Sequence, residues 1–516
     1  MRHAFSIGTG MAGIIGFVAL LATSVAAQEA TTGISAATLR CHSAAGERQS
    51  CPGDTSAGVA MLRSTGTAAC LLGNTWGYDD AGVWVANGCG GEFVLGQQAG
   101  PGEPETLAPA EQPDYLQAAD NFTWGEFDPG NGFLIGSSPA GTLSISAYAL
   151  ARYIDQSGDD TFTDHNGNVQ PVDLRRDIYS HRILVWLKGW IGVPKLVYTI
   201  TFWTVNTTDQ DALFGNIGYQ FSKKFNLYAG VYGNPGSRSL QGSHPYWLGN
   251  DRVMADEFFR AFFTSGIYAN GEVLPGLWYS VSAGNTNSIL GTRASQLDRK
   301  LTTGGSVWWM PTTQEFGPRG AYGDWEMHEE VATRFGLSYT DSPEQRYTDV
   351  GDDPQNTSLR FADSLNVFST GALAPGVTIT EANYRILAVD AGIKYRGMFL
   401  QAEYFHRWLD SFLADGALPV AEVIDTGFYV QGSFFPIPRK LELYAATSQI
   451  FGDADAGFGD SHEYLVGMNY YPTNSRNHRL NLQLIDVTRS PVSSVFGYYT
   501  GGQDGTTVAA AFSIFF

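Results

Sequence analysis

Eight charged residues stand where they could steer ions rather than make or break bonds. Arg152, Arg334, Lys394 and Arg407 fall, by a two-residue period, on one face of their segments, and Asp390 and Glu403 lie on the same faces, where they could pair with the cations. Rings of such charges set the sign of ion that an aqueous path accepts, although in a wide lumen they also serve as plain solvated wall. Glu257 and Arg260 belong to Met254–Arg260, which reads as a short helical or irregular turn before a strand at 262–269, and so as a candidate constriction. Other chemistry finds no footing. His328-Glu329-Glu330 lacks the second histidine of a zinc-protease helix, and the acidic run from Asp155 to Asn168 misses the ligand order and closing glutamate of a calcium loop. No nucleophile elbow, phosphate loop or dinucleotide fingerprint stands in a supporting context, so no catalytic residue, metal or cofactor is expected.

The four cysteines, Cys41, Cys51, Cys70 and Cys89, all precede residue 90. That distribution implies a small disulfide-stapled module in an oxidising compartment, followed by a separate body. Three pairings are possible. A hairpin centred on Gly46 would bring Cys41 to Cys51, and a turn at Asp79-Asp80-Ala81-Gly82 would bring Cys70 towards Cys89, which makes that pairing the preferred one. A zinc site is the alternative, disfavoured because the spacings are not of the paired-cysteine kind.

The elements that must position the charged residues are strands. Leu387, Val389, Ala391, Ile393 and Tyr395 alternate with Ala388, Asp390, Gly392 and Lys394. After a tight Arg396-Gly397 turn, Met398, Leu400, Ala402 and Tyr404 alternate with Phe399, Gln401, Glu403 and Phe405. The same period runs through 143–153, 334–339 and 480–484. Alternation alone fits a soluble sandwich as well as a membrane barrel. Three features favour the barrel. Strands end on interfacial aromatics such as Tyr153, Tyr339, Tyr395 and Tyr404. Short turns at Lys223-Lys224, Arg396-Gly397 and Phe435–Pro438 alternate with long acidic or Gly/Asn-rich stretches at 155–172, 341–383 and 409–425. The sequence closes on alternating Val508, Ala510, Phe512, Ile514 and Phe516, a form suited to recognition of Phe516 by the outer-membrane barrel-assembly machinery.

Arg2 and His3, the apolar stretch Met11–Leu21 and small residues at Val25-Ala26-Ala27 read as a removable signal peptide, residues 1–27. Residues 28–100 form the stapled extracytoplasmic module, 101–120 a Pro/Glu/Ala linker, and 121–516 the barrel, with room for about 16 strands. An even count places both barrel ends, and with them the module, in the periplasm. The net charge of −20 excludes nucleic acid as a partner. The expected class is therefore all-β: a transmembrane antiparallel barrel in outer-membrane lipid, with a small disulfide-bonded β-domain before it.

Two resemblances add to this reading. Cys41, Ser43, Cys51, Trp76-Gly77, the GVWV run at 82–85, Gly88-Cys89 and Phe93 resemble a small bacterial domain family of unknown function, which implies a compact β-domain and no activity. The stretches FDPGNGFLIGSS (127–138), NDRVMADEFFRAFFTSGIYANGEVLPGLWYSVSAGN (250–285), HEEVATRFGLSYTDSPEQR (328–346), 371–410, 440–453 and 467–492 resemble the porin O/P-like family. That resemblance implies a 16-stranded barrel, often a homotrimer, that passes small hydrophilic solutes or ions, with anions such as phosphate among the candidates. Phosphate selectivity in that family is attributed to lumenal arginines and a lysine cluster. Here only seven lysines occur, unclustered, and the long loops are acidic, which favours a general diffusion pore. The other class to weigh is a barrel that anchors the cysteine module as a binding or scaffold protein.

Overall fold

The computed structural model describes residues 38–95 and 132–516, apart from 56–57, 69, 71–74, 80, 206–209, 242–243, 288–299, 355–358 and 494–496. The expected signal peptide and linker lie outside the described residues. The chain divides into two compact units, Met1–Ala110 and Glu111–Phe516.

The first unit holds two three-stranded antiparallel sheets. One orders Thr38–His42, Gly90–Leu95 and Val59–Ser64; the other Arg48–Pro52, Gly82–Ala86 and Trp76–Asp79. Val83, Val85 and Phe93 are fully buried between them with Cys41 and Trp76. Both preferred disulfides form, Cys41–Cys51 and Cys70–Cys89. The hairpin about Gly46 does not. The backbone turns there, with Gly46 at a φ of +79°, but Cys41 pairs across its ladder with Gly91 and Cys51 with Val83. The first bridge therefore ties one sheet to the other, because burying two small faces against each other satisfies more apolar surface than a free hairpin does. The longer loop, 19 residues against 10, belongs to Cys70–Cys89. Loop-closure entropy then predicts that Cys70→Ser/Cys89→Ser costs more than Cys41→Ser/Cys51→Ser, each within about 2–4 kcal/mol. The urea concentration at which trypsin first cuts after Arg48 or Arg63 should rank the two variants in that order; the reverse order would refute the loop-length argument.

The second unit is a closed antiparallel barrel of 16 strands. The first eight are β1 (Gly141–Gly158), β2 (Arg176–Ile191), β3 (Val193–Val205), β4 (Gln210–Ser222), β5 (Phe225–Gly233), β6 (Phe263–Leu274), β7 (Leu277–Gly284) and β8 (Thr302–Trp309). The others are β9 (Ala332–Gln345), β10 (Ile379–Tyr395), β11 (Met398–Ala414), β12 (Val423–Ile437), β13 (Leu441–Phe451), β14 (Ser461–Tyr470), β15 (His478–Thr488) and β16 (Gly505–Phe515). β16 closes on β1 at residues 148–158, and a short strand, Phe133–Ser138, continues along the same edge of β1 beyond it.

The expected alternation holds. Leu337, Val389, Leu400, Leu482 and Phe512 are exposed on the outside, while Arg334, Asp390, Glu403, Gln483 and Arg152 are buried within. An apolar exterior on a closed barrel is the pattern that lipid demands, since closure leaves no backbone edge unpaired. Among the described residues, no helix is long and apolar enough to cross a membrane.

Several strands run further than the sequence divides them, so the long connections shrink to 159–175, 346–378 and 415–422. The ladders continue past the apolar belt as paired ribbons, which satisfies their backbone groups. The end bearing the turns 192, 223–224, 275–276, 396–397 and 438–440 breaks its own rule once. Between β8 and β9 it carries a 22-residue segment, 310–331.

Candidate functional site

The barrel interior is organised on one level of its wall. Gly336 faces Asp390, Asp390 faces Glu403, Glu403 faces Tyr429, Tyr429 faces Ser448, and Ser448 faces Glu463, in register across β9 to β14. The five side chains from Asp390 to Glu463 point inward and make a polar row, with Gly336 at its end. The connection between β5 and β6, residues 234–262, folds inside and docks on this row. It carries a one-and-a-half-turn helix, α1 (Met254–Phe259).

Helix α1 has no side-chain cap of its own, since Val253 occupies the N-cap. The wall supplies one. The Met254 amide donates to Glu463 at 2.9 Å and the Ala255 amide to the Ser448 hydroxyl at 3.2 Å. At the other end the Tyr384 hydroxyl donates to the Phe259 carbonyl at 2.5 Å. A carboxylate at the N-terminus and a donor at the C-terminus are what the unsatisfied end groups of a helix require. Apolar contacts complete the seat: Phe259 stacks on Phe405, ring centres 5.1 Å apart, and the Arg407 guanidinium lies 4.1 Å from the centre of the Phe258 ring.

The second inward segment is the strap 310–331. The Tyr322 amide donates to the Tyr246 carbonyl at 2.8 Å, and Arg238 donates to the Gly320 carbonyl at 2.6 Å with its guanidinium 4.1 Å from the Tyr322 ring centre. Loop and strap thus meet from opposite ends around Arg238. That arginine also reaches Asp390 at 3.8 Å, while its amide donates to Glu403 at 2.8 Å. Arg334 binds Asp390 at 3.1 Å. Gly336 makes room for this pair, because a Cβ there would lie 1.7 Å from an Asp390 carboxylate oxygen.

All six residues expected on the inner wall face inward, but not as solvated wall. Arg152, Arg334, Lys394, Arg407, Asp390 and Glu403 are each at most 3 % exposed. Inward segments that alternation along a strand does not register cover them. Arg334, Asp390 and Glu403 converge on Arg238. Arg407 is held by Asp425 at 2.5 Å, Arg152 donates to the Gly497 carbonyl at 2.8 Å, and Lys394 donates to the Phe316 carbonyl at 2.7 Å. Glu257 and Arg260 do sit on the inward loop and bind each other at 3.0 Å. The sequence reading missed Arg238, Tyr322, Tyr429 and Glu463. For the strap a signal was present: Phe316, Tyr322 and Trp325 among Gly317, Pro318, Gly320 and Gly323 is too aromatic for a solvent turn.

Three strap residues, Asp324, Glu326 and His328, bring donor atoms within 4.8 Å of one another. Protein partners already use them. His328 contacts Asp324 through one ring nitrogen and Glu315 at 2.6 Å through the other; Glu326 meets Arg476 at 3.2 Å and Lys394 at 3.9 Å. The group is an ion-pair clasp. Hydrogen bonds donated by its ring to Asp324 and Glu315, outweighing burial, push the His328 pKa up to about 9. A raised value means that the clasp contributes fully below the ordinary histidine range, near 6.5, and is lost as pH passes about 9. Proteolysis within 310–331 should therefore rise between pH 8 and pH 10 (roughly spanning that value), and His328→Gln should cleave readily at either pH. A flat wild-type profile would refute the clasp.

Comparison with known proteins finds a family match in the N-terminal part of the chain. Residues 19–118 match the family described as "Protein of unknown function (DUF3011)". No curated protein matches the sequence. Among solved structures, the chain is similar to outer-membrane expressed OmpT of Vibrio cholerae, with 11% identity and a TM-score of 0.47 over 74% of this chain and 100% of that one. It is also similar to the anion-selective porin from Comamonas acidovorans, with 12% identity and a TM-score of 0.44 over 73% of this chain and 100% of that one. Pseudomonas putida OprB shows 11% identity and a TM-score of 0.39, over 73% of this chain and 94% of that one.

Proposed function

We propose that the barrel is an outer-membrane porin for the passive diffusion of small hydrophilic solutes or ions, with its lumen narrowed by the loop 234–262 and the strap 310–331. The observation that carries this reading is the inner polar row, on which a loop docks inside a closed barrel with an apolar exterior.

The charge at the narrowing bears on selectivity. Arg238, Arg252, Arg260 and Arg334 face Asp256, Glu257, Asp390 and Glu403, four cations against four carboxylates. A balanced site favours neither sign of ion, which supports a general pore over a phosphate-selective one. The resemblance to porin O/P-like proteins supports the porin reading and a homotrimer. In this reading the signal peptide directs export, the long acidic connections face outward, the short-turn end and the disulfide-stapled unit face the periplasm, and the protein performs no catalysis.

The test is single-channel conductance of the purified full chain in planar bilayers, compared with the same protein lacking residues 28–113. Discrete steps in both support the porin and make the first unit an accessory. The tight packing of the lumen favours a second reading, in which the barrel presents that unit as a scaffold; no conductance from either protein would select it.

A further inference from the structure

Four of the seven lysines, Lys195, Lys223, Lys224 and Lys440, stand at the short-turn end of the barrel, together with Arg396 and Arg439. The opposite end is acidic, with Asp159-Asp160, Asp352-Asp353 and Asp453 with Asp455 in its connections. The lysines read as unclustered along the sequence, but the fold brings three of them together outside the lumen and sets Arg396 and Lys440 elsewhere on the same end. Lys195 on β3 donates to the Phe221 carbonyl at 3.4 Å, which sets it beside the Lys223-Lys224 turn. All three lysines are exposed. Lys223 touches the buried carboxylate of Glu272, which takes one of its three N–H donors. Arg396 lies 5.1 Å from the Tyr395 ring centre and Lys440 5.8 Å from that of Tyr470. The Phe435 amide, near the end of β12, donates to the Gly397 carbonyl at 3.1 Å and extends the β11–β12 ladder to the Arg396-Gly397 turn.

The three lysines border an outward aromatic cluster. Tyr219, Phe221 and Phe225 are exposed, with ring centres 4.7 Å apart for the first two and 5.4 Å for the last two, and the Tyr279 hydroxyl donates to the Lys224 carbonyl at 3.0 Å. Rings of this kind mark the depth where acyl chains give way to headgroups, and amines just beyond them stand at phosphate level. From this placement we infer that Lys195, Lys223 and Lys224 form a binding site for the phosphate group of an anionic phospholipid. The inference rests on the lipid-facing reading of the barrel wall and is independent of conductance. Clustered amines at a membrane surface attract anionic headgroups, and the attraction weakens with salt.

The test uses the full chain folded in neutral detergent, offered equal amounts of phosphatidylglycerol and phosphatidylcholine, with retained lipid read by native mass spectrometry. The wild type should retain phosphatidylglycerol about tenfold over phosphatidylcholine. Lys195→Gln/Lys223→Gln/Lys224→Gln should lose most of that preference, while Lys300→Gln, at the opposite end, should keep it. Should the triple variant fail to fold, added salt on the wild type must erase the preference instead. An unchanged preference in a folded triple variant, or none in the wild type, overturns the site. Displacement of the lipid by millimolar inorganic phosphate would mark a free-phosphate site and overturn the phospholipid assignment. A chain that does not enter bilayers at all would instead sink the lipid-facing reading beneath it.

Discussion

Asp390→Ala should destabilise the folded barrel by about 3–5 kcal/mol, the cost of leaving a buried charge without its partner. Asp390 lies between Arg334 and Arg238, whose side chains are almost wholly buried. Neither arginine can shed its proton, so the penalty cannot be relieved by neutralisation. Gly336→Ala should reproduce the effect in part, because its Cβ would displace the same carboxylate while leaving the charges in place. Urea unfolding in detergent, read by the mobility shift of heated against unheated protein, measures both. An Asp390→Ala midpoint within error of the wild type would show that the row does not hold the loop. Replacement of all three charges by apolar residues of similar volume should recover much of the loss, as expected when the cost lies in the orphaned charge rather than in a missing attraction.

The largest functional effect should follow removal of the strap. Replacing residues 312–329 with a short Gly/Ser turn takes away Tyr322, the clasp and the carbonyl that receives Arg238, and it restores the ordinary geometry of a short-turn end. Conductance should rise several-fold. The sign of the selectivity change follows from charge. The deleted stretch carries Glu315, Asp324, Glu326 and Glu329 against Arg319 and a protonated His328. Its loss also frees Lys394 and Arg476 from Glu326, so the opened lumen becomes more cationic and the reversal potential should move towards anions. Unchanged conductance with intact folding would place the resistance at the loop 234–262 alone. A shift towards cations would contradict the charge argument.

Much of this architecture was legible in the residues. The two-residue period placed Arg334, Asp390, Lys394 and Glu403 on the inner face because a strand has only two faces and the other was uniformly apolar. The disulfide partners were legible from loop spacing, although for a mistaken reason: Cys41 and Cys51 oppose each other between sheets and not across a hairpin. What could not be read is whether an inner face meets water or protein. That depends on contacts such as Met254 to Glu463 and Arg238 to Gly320, which join residues far apart in sequence and have no local periodicity. The short helix α1 was marked as a turn that could enter the lumen. Its capping by β14 could not be foreseen, since the caps that leave a sequence signature lie beside the helix and not on a distant strand.

The make-up of the two inward segments sets how each would respond to an electrical field. The loop 234–262 holds Arg238, Arg252 and Arg260 with Asp251, Asp256 and Glu257, and so carries no net charge. A potential difference acts on net charge, at about 2.3 kcal/mol per elementary charge for each 100 mV crossed. Voltage therefore exerts torque but no pull on the loop. The strap 310–331 has a surplus of carboxylates, with Glu330 added to those named above. A Donnan potential between the two sides of the membrane would draw the strap along the barrel axis and leave the loop on its shelf.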